Sequence, residues 1–336
     1  MPDPAPSAPS PDTSTASKRL ISFVMVARDE PQPLVETTVR ELLQTSSGHA
    51  REIVVVDDGS RVPVFLEHPE VHLVRNPMPI GGARARRRGA SLARGGVLVS
   101  MDAHMRFAPD WLDRMLEHVE SGALLCAAWW DYDLTRPLCW GADFRWCGER
   151  NHKAGRSPGF AFRHRTKYPG DGAVEVPMLI GACYMMLREG YDRLGGFSPF
   201  FRTWGRVEQD LSLRAWIVGL GLKCVPGAHV GHFTRPKHPY PVRWADVEFN
   251  QAATARTVFE EPVARAVEQL LQPLPSEVQT LLDRTDFRGW RRWVQSQRRI
   301  RDAELFRRFV PDAPECLIVA AESEPRDTTA KPSVRL

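Results

Sequence analysis

Short apolar runs alternate with helical segments through the first third of the chain. Four hydrophobic runs predict buried strands, at residues 20–27, 53–56, 71–74 and 97–101. Residues 34–43 carry apolar side chains at helical spacing, and residues 83–92 predict a helix with a basic face. Strands that alternate with helices in this way predict an α/β fold with a mostly parallel, doubly wound sheet. No Gly-x-Gly-x-x-Gly sequence follows the first strand, which disfavours a dinucleotide-binding version of this architecture.

The second half of the chain has weaker periodicity. A helix is predicted after Pro109, a strand at residues 124–130 and a strand-like run at residues 178–184. Residues 131–172 are rich in Arg, Gly and Trp and show few periodic features. Residues 262–309 predict two or three amphipathic helices. The pattern therefore divides the chain into a body that contains the sheet and a helical extension.

Composition narrows the class of protein. The chain has 336 residues, a formal net charge of +4, 43% hydrophobic and 26% charged residues, as an ordinary globular enzyme has. This charge is too small to indicate a nucleic-acid partner. Residues 1–17 lack the basic region and apolar core of a signal peptide and predict a disordered tail. With no apolar run of membrane-spanning length and no Cys-x-x-Cys pair, a cytoplasmic protein with reduced thiols is expected.

Acidic residues follow three of the predicted strands. They are Asp29-Glu30, Asp57-Asp58 and Asp102, the last with His104 two residues further on. The carboxyl ends of parallel strands converge on one cleft, where open α/β sheets bind ligands. In extended chain Asp102 and His104 face the same side, and a carboxylate with an imidazole suits a borderline divalent ion such as Mn²⁺. Each acidic pair alone could equally cap a helix, but three together favour contact with a ribose or a base.

A glycine pair and a run of arginines follow the third predicted strand. Gly81-Gly82 permits close backbone approach, and the start of the following helix favours phosphate. Arg84 shares a helix face with Arg88 but not with Arg86, so these arginines cannot all contact one ligand. A solvated basic helix is one interpretation. A role for Arg84 or Arg86 facing a diphosphate is preferred, because this loop borders the predicted cleft.

Taken together, these motifs resemble the nucleotide-binding half of a family-two-type glycosyltransferase. The resemblance covers about residues 20–261 and rests on Val-Met-Val-Ala-Arg-Asp-Glu, Ile-Val-Val-Val-Asp-Asp-Gly-Ser, Gly-Gly-Ala-Arg-Ala-Arg-Arg-Arg-Gly-Ala and Met-Asp-Ala-His. The Asp-x-His form resembles the polypeptide N-acetylgalactosaminyltransferases. The resemblance implies a GT-A fold, a UDP-sugar donor and Mn²⁺. It also implies that Asp57 and Asp58 lie near the uridine and Arg84 or Arg86 near the diphosphate.

The strongest single motif occupies residues 230–240. The family sequence Val-Gly-His-x-x-Arg-x-x-His-Pro-Tyr is complete there. A histidine at this place, taken alone, is more often structural, but the resemblance implies that His232 is the third metal ligand beside Asp102 and His104. The resemblance also implies a mobile loop that closes over the donor diphosphate, with Arg235, His238 and Tyr240 as its members.

The chain departs from the family pattern on the sugar and acceptor side. A Gly-Gly pair usually lies against the donor sugar, and this chain has Ile180-Gly181 instead. The family pattern Trp-Gly-Gly-Glu-Asn-x-Glu begins at Trp204, and without a gap its asparagine falls on Glu208, whereas Asp210 keeps its place. Both carboxylates complement the dipole of a predicted helix, or one of them faces the acceptor hydroxyl as a base. Inverting relatives carry their base at the place of Glu208.

Aromatic residues suggest where an acceptor binds. Trp140, Trp146 and residues 160–162 could form an acceptor platform, since ring faces suit sugar and peptide alike, or could equally form a hydrophobic staple under a long loop. In the helical extension, Trp290 and Trp293 accompany Arg284, Arg288, Arg291, Arg292, Arg298, Arg299 and Arg301. Such a face could touch an anionic lipid surface or an acidic acceptor, although a helical cap docked on the body is preferred.

The predicted protein is a metal-dependent glycosyltransferase that moves a hexose or N-acetylhexosamine from a UDP-sugar to a hydroxyl group. The resemblance implies retention of anomeric configuration, whereas a true base at Glu208 would mean inversion. A sugar-nucleotide-binding protein without transfer activity is a further alternative. The acceptor stays open among a peptide, a polysaccharide, a lipid and a small molecule. The predicted organisation is a tail at 1–17, a GT-A catalytic domain at 18–261, a helical extension at 262–312 and a disordered tail at 313–336.

Overall fold

A computed structural model describes residues 19–235 and 237–323 of the chain. Its strands are β1 Ile21–Ala27, β2 Arg51–Asp57, β3 Val71–Arg75, β4 Val97–Asp102, β5 Met105–Phe107, β6 Leu124–Trp130, β7 Pro137–Cys139, β8 Ala142–Cys147, β9 Gly159–His164, β10 Val174–Glu175, β11 Cys183–Leu187 and β12 Leu222–His232. Its helices are α1 Gln32–Thr45, α2 Gly82–Leu92, α3 Trp111–Val119, α4 Arg188–Arg193, α5 Val207–Ile217, α6 Trp244–Val258, α7 Glu261–Leu270, α8 Ser276–Arg284, α9 Arg288–Ser296, α10 Asp302–Phe309 and α11 Glu315–Glu322.

One large sheet forms the centre of the protein. Its strand order is β10-β12-β6-β11-β4-β1-β2-β3, with β5 paired to β12 and β7 paired to β6. Strands β1 to β4 pair in parallel, and β11 runs antiparallel between β4 and β6. Because β11 opposes both neighbours, β6 and its parallel partner β12 run in the direction of β4. The predicted α/β fold with a mostly parallel, doubly wound sheet is therefore confirmed.

Side chains of the central strands alternate between two buried layers. On β1, Phe23 and Met25 join the layer built with α1 and α3, whereas Val24 joins the layer built with α2. This period of two is what strand geometry requires, and burial of both faces explains why the strands appear as continuous apolar runs in the sequence. The first and fourth strands end together, since Val26 is opposite Asp102 and Ala27 is opposite Asp57 in the register. The acidic strand ends consequently meet at one edge of the sheet.

Residues 131–172 are more regular than their sequence predicts. They contain β7 and a hairpin in which β8 and β9 pair from Ala142 opposite His164 to Cys147 opposite Gly159. Phe144 and Phe160 bury their rings in the core. Exposed arginines interrupt the alternation of apolar and polar residues in these strands, so the period of two is not recognisable in the sequence. The predicted strand at 178–184 is also shorter than expected, because β11 begins only at Cys183 and the residues before it form a loop.

The helical extension contains more helices than expected. Residues 261–309 form α7 to α10 rather than two or three helices, and α11 lies within the segment that was expected to be a disordered tail. Helix α11 forms because Leu317 and Ala321 find a buried apolar surface. The remainder of that predicted tail, from residue 324, and the predicted tail at 1–17 lie outside the described residues.

The extension docks on the body through its tryptophans. Trp290 and Trp293 stack with ring centroids 5.2 Å apart. They cover Gly195, whose φ is +71° and where an added Cβ would lie 2.5 Å from the Trp293 ring. Arg291 donates to the carbonyl of Arg256 on α6 at 2.7 Å. The extension is therefore a helical cap on the body. If its basic outer surface contacts a lipid or an acidic acceptor, Trp290 and Trp293 do not take part in that contact. Within the described residues, no helix is long and apolar enough to cross a membrane.

Candidate functional site

A cleft of about 410 Å³ opens at the carboxyl edge of β1 and β4. Of the residues singled out in the sequence, the lining includes Glu30, Asp58, Arg86, Asp102, His104, Gly181, Trp204, Glu208, His232, Arg235, His238 and Tyr240. Among the predicted catalytic and nucleotide-binding side chains, Asp29, Asp57, Arg84 and Asp210 do not line it. The fold thus brings together side chains that lie more than 200 positions apart in the chain, and it places four of the predicted residues against partners outside the cleft.

Three potential metal ligands converge in the cleft. One ligand atom each of Asp102, His104 and His232 lies within 4.8 Å of the others, and within the described residues this is the group that meets that test. The two Nε2 atoms of the histidines are 3.2 Å apart, and His232 Nε2 lies 3.4 Å from Asp102 Oδ2. The register of β5 on β12 produces this meeting, because Met105 pairs with His232 and the Phe233 amide donates to the His104 carbonyl at 3.1 Å.

The spacing of these atoms fits a divalent cation. Two nitrogens that each lie about 2.1 Å from one ion, at about 90 to 110° to each other, are about 3.0 to 3.4 Å apart. The observed 3.2 Å between His104 and His232 falls in this range. One carboxylate and two imidazoles suit a borderline ion such as Mn²⁺ or Zn²⁺. Asp102, His104 and His232 are therefore the residues that would hold a metal.

Charged neighbours keep the Asp102 carboxylate ionised. Burial alone would raise the pKa of Asp102, but its hydrogen bond with His232 and its ion pair with Arg86 hold that pKa well below its usual range. Glu30 stands behind His104, with its Oε1 3.4 Å from Nδ1, and also pairs with Arg235. Burial opposes ionisation of Glu30 too, yet these two partners lower the pKa of its carboxyl. The three candidate metal ligands thus lie within a network of alternating charges.

The Asp58 carboxylate is occupied by hydrogen bonds that hold the loop before α2. Its Oδ1 accepts from the Asn76 side chain at 2.7 Å and from the Ile80 amide at 2.8 Å, and its Oδ2 accepts from the Gly81 amide at 2.9 Å. Gly81 in turn approaches the backbone of Thr203, where an added Cβ would lie 2.8 Å from the Thr203 nitrogen. The close approach predicted for this glycine is therefore made to the chain itself.

Asp57, Asp29 and Arg84, which were also predicted to contact the nucleotide, do not line the cleft and have partners within the chain. Asp57 is fully buried, accepts from the Ser60 and Val64 amides and pairs with Arg75. Asp29 accepts from the Arg61 amide at 2.8 Å. Arg84 donates to the carbonyl of Ile80 at 2.6 Å. Their polar atoms shape the loops at the sheet edge because those loops leave amides and carbonyls that need partners. Of the two arginines considered for a diphosphate, Arg86 is the one in the cleft.

Glu208 lies in the cleft wall at the start of α5. The buried Tyr184 hydroxyl donates to its Oε1 at 2.6 Å, and burial beside this carboxylate raises the pKa of Tyr184 well above its usual value. Glu208 Oε1 would be 3.3 Å from a Cβ added at Gly181, and the Trp129 indole donates to the Gly181 carbonyl at 2.7 Å. A larger side chain at Gly181 would therefore crowd Glu208. The next residue, Ala182, takes φ +77°, a conformation that glycine adopts more readily.

Asp210 does not face the cleft. It is 2% exposed, and Arg214 donates to its Oδ2 through Nε at 2.9 Å and Nη2 at 2.6 Å. The same guanidinium binds the carbonyls of Leu194 and Gly196. Asp210 is two positions after Glu208 on a helix, so it points away from the face that Glu208 presents. Of the two carboxylates considered for the acceptor side, Glu208 is the one in the cleft, and Asp210 pairs with Arg214 in the core.

The segment after β12 closes one side of the cleft with aromatic and basic side chains. His238 packs on Trp204 with ring centroids 4.5 Å apart, and the Arg28 guanidinium lies 4.3 Å from the centroid of the Tyr240 ring. Burial raises the pKa of Tyr240 to about 12 and lowers the pKa of His238. Both rings are thus neutral at neutral pH, and the positive charge on this side comes from the arginines.

Sequence reasoning missed several cleft residues. Trp129 stacks on His232, with ring centroids 4.6 Å and planes 14° apart. Trp129 lies near the carboxyl end of β6, so the rule that strand ends meet at one edge could have found it. Phe162 is the member of the predicted aromatic platform that lines the cleft, and His164 lines it too. Tyr184 does not line the cleft itself but donates to Glu208, and it had no sequence signal because it lies inside a buried strand.

Comparison with known proteins places these features in a family. The family model for glycosyl transferase family 2 matches residues 22–195, and the model described as the N-terminal domain of galactosyltransferase matches residues 164–239. The chain is 28% identical over 239 residues to polypeptide N-acetylgalactosaminyltransferase 14 of Homo sapiens, covering 65% of this chain and 41% of that protein. It is 28% identical over 247 residues to putative polypeptide N-acetylgalactosaminyltransferase 9 of Drosophila melanogaster, covering 66% and 36%. The chain therefore corresponds to less than half the length of these relatives.

A solved structure confirms the predicted fold. The crystal structure of GalNAc-T7 with UDP, GalNAc and Mn²⁺ aligns with a TM-score of 0.65 at 20% sequence identity. The alignment covers 83% of this chain and 55% of that one. The large sheet with its inserted antiparallel strand is accordingly a GT-A fold, followed by the helical extension.

Proposed function

The chain belongs to glycosyl transferase family 2, and we propose that it transfers a sugar from a UDP-sugar to an acceptor hydroxyl group with the help of a divalent cation. The observation that carries this proposal is the convergence of Asp102, His104 and His232 in the cleft, with atoms spaced for one ion. Relatives named as polypeptide N-acetylgalactosaminyltransferases and a neighbour crystallised with UDP, GalNAc and Mn²⁺ support the donor and the metal. The donor sugar is proposed to be a hexose or an N-acetylhexosamine.

The cleft residues divide the work of donor binding. When bound, the cation supplies positive charge for the leaving diphosphate. Arg86 adds a fixed guanidinium beside Asp102, and Arg235 stands on the other side, paired with Glu30. His238 and Tyr240 continue the segment of Arg235 and line the same cleft, which supports their proposed role in covering the diphosphate. Water exclusion by this segment would strengthen each of these charge contacts.

Glu208 decides between two stereochemical courses. We propose retention, in which the leaving phosphate takes the acceptor proton and Glu208 only positions the reacting groups. Inversion is a specific second candidate, because the Glu208 carboxylate lines the cleft and is held by Tyr184. Analysis of the product anomer by NMR separates the two. A β-linked product from an α-linked donor would refute retention and leave Glu208 as the proposed base.

The decisive experiment measures UDP release from a panel of UDP-sugars, with Mn²⁺ and with EDTA. We expect Mn²⁺-dependent release from one donor in the wild type and its loss in H232A. H229A is the matched control, since His229 lies on the same strand, packs on Trp130 and does not line the cleft. Equal loss in both variants would indicate damage to β12 rather than loss of a ligand. Absence of binding and turnover for every UDP-sugar would refute the proposed donor.

The remaining assignments follow from this function as proposals. Residues 18–261 would be the catalytic domain and residues 262–312 its helical extension, in a cytoplasmic protein. Arg284, Arg292 and Arg299 stay exposed on the extension and could contact an anionic membrane surface. Because Trp290 and Trp293 are turned toward the body, such contact would be electrostatic and lost at high salt. Vesicle sedimentation with anionic and with neutral lipid at two ionic strengths would test it.

A further inference from the structure

A row of aromatic rings runs from the mouth of the cleft to the candidate metal ligands. Phe162 lies next to His164, with ring centroids 4.9 Å apart, and His164 lies 5.5 Å from Trp129. Trp129 in turn stacks on His232. Phe162 is 47% exposed, so the outer end of this row presents a free ring face to solvent. The row therefore connects the place where an acceptor would enter with the place where the proposed transfer occurs.

The outer part of this row is held rigidly by its hairpin. The neighbouring Phe160 is fully buried, its amide donates to the Gln251 side chain at 3.1 Å, and its carbonyl accepts from Arg206. Arg206 also donates to the Ser157 carbonyl at 3.0 Å. Burial lowers the pKa of Arg206 to about 10, and its φ of +70° is unusual for a residue with a side chain. A ring surface that is fixed before binding loses little entropy when a ligand settles on it.

The hydrogen-bonding group on this surface, the His164 imidazole, is uncharged near neutral pH. The His164 imidazole makes no hydrogen bond to any described residue, and two aromatic neighbours flank its ring. Burial lowers the pKa of His164, so near neutral pH its imidazole offers one donor and one acceptor. Arg163 on β9 and Arg165 just after it alternate with these residues in the sequence, and both pair with Asp143. The surface toward the cleft thus combines an open ring face with an uncharged hydrogen-bonding group.

We propose that the acceptor is a neutral carbohydrate whose ring lies on Phe162 and whose hydroxyl groups bond to His164. A pyranose has an apolar face of C–H groups and a rim of hydroxyls that both donate and accept, which matches this pair of side chains. A charged peptide would find no partner of opposite charge on this surface. The inference rests on the proposed glycosyl transfer and names its acceptor class.

The test adds acceptors to the UDP-release assay with the donor that the enzyme turns over. One set contains methyl glycosides and disaccharides of glucose, galactose and their N-acetyl-amino derivatives, and the other contains neutral peptides with Ser and Thr. We expect at least one saccharide to stimulate UDP release, with formation of the extended saccharide detected by mass spectrometry. A panel in which no saccharide stimulates release, whatever the peptides do, contradicts the proposal.

Variants connect the stimulation to the ring surface. F162A should raise the KM for the stimulating saccharide about tenfold relative to the KM for the UDP-sugar, F162W should restore it, and H164A should lower saccharide turnover. F65A is the matched control, since Phe65 is 64% exposed and lies outside the cleft. Equal saccharide KM values in F162A and F65A would overturn the assignment. Failure of the proposed function would look different, because UDP-sugar turnover would then be missing without any acceptor.

Discussion

Tyr184 offers a sharp test of whether Glu208 acts in the reaction. Its side chain is 1% exposed, and its hydroxyl donates to Glu208 Oε1 at 2.6 Å. Y184F removes this hydroxyl and leaves the ring, so the packing of β11 is preserved. A hydrogen bond to a charged acceptor contributes about 1.5 to 3 kcal/mol. If that energy is used to hold Glu208 against the reacting groups, kcat should fall by about 10- to 100-fold.

The same substitution separates a catalytic effect from a structural one. Y191F is the control, because Tyr191 is also buried, whereas the hydroxyl that donates to Glu208 is that of Tyr184. Both variants should lose at most about 1 to 3 kcal/mol of unfolding free energy in urea. Only Y184F should reduce the rate of UDP release and of product formation at saturating substrates. Wild-type kcat in a folded Y184F would refute the view that the position of Glu208 matters for transfer.

Three further predictions follow from the structure. H104A should weaken Mn²⁺ binding, measured by calorimetry, by more than the roughly 10- to 100-fold that loss of an outer-shell partner costs. The control H229A should bind Mn²⁺ as the wild type does. Equal affinities of the two variants would exclude His104 as a ligand. G195A should lower the unfolding free energy by more than about 2 kcal/mol, since the new Cβ would strike a tryptophan of α9. G190A is the control and should be near neutral, because Gly190 has open space around it. Similar stabilities of the two variants would contradict the docking of the extension. Burial raises the pKa of Asp302 to about 6, so the folded state keeps this proton longer than the unfolded chain, and stability should fall by on the order of 3 kcal/mol as the pH rises from about 4 to about 6. D302N should remove that slope in urea titrations across this range, and an unchanged slope would show that another group causes it.

Much of the site could be predicted because its signals are local. Asp102 and His104 are two residues apart at a strand end, so residue type and spacing were sufficient to name them, and the contiguous motif around His232 carried the family resemblance. The resemblance then joined His232 to the other two across more than 120 positions. The structure agrees with that grouping, since all three have ligand atoms within 4.8 Å of one another.

The division of roles among similar residues could not be predicted from spacing. Asp57 and Asp58 are neighbours with the same chemistry, yet Asp57 is fully buried among the amides of one loop and Asp58 borders the cleft. Glu208 and Asp210 both begin α5, but only Asp210 meets the guanidinium of Arg214 in the core. Arg214 is only four residues further along the same helix, but it is the packing of α5 that buries this pair and keeps it away from the cleft.

The sequence by itself determined the α/β architecture and the family, because strand periodicity and contiguous motifs are properties of neighbouring residues. The family resemblance then predicted that Asp102, His104 and His232 group together. Only the tertiary structure decided which acidic and basic side chains face the cleft. It also showed that Tyr184 holds Glu208 and that Phe162, His164 and Trp129 form one aromatic row. These arrangements depend on the register of β5, β6 and β12 and on the β8–β9 hairpin. Pairing between strands that are distant in the chain determines these arrangements, and the sequence of one strand does not specify which strand pairs with it.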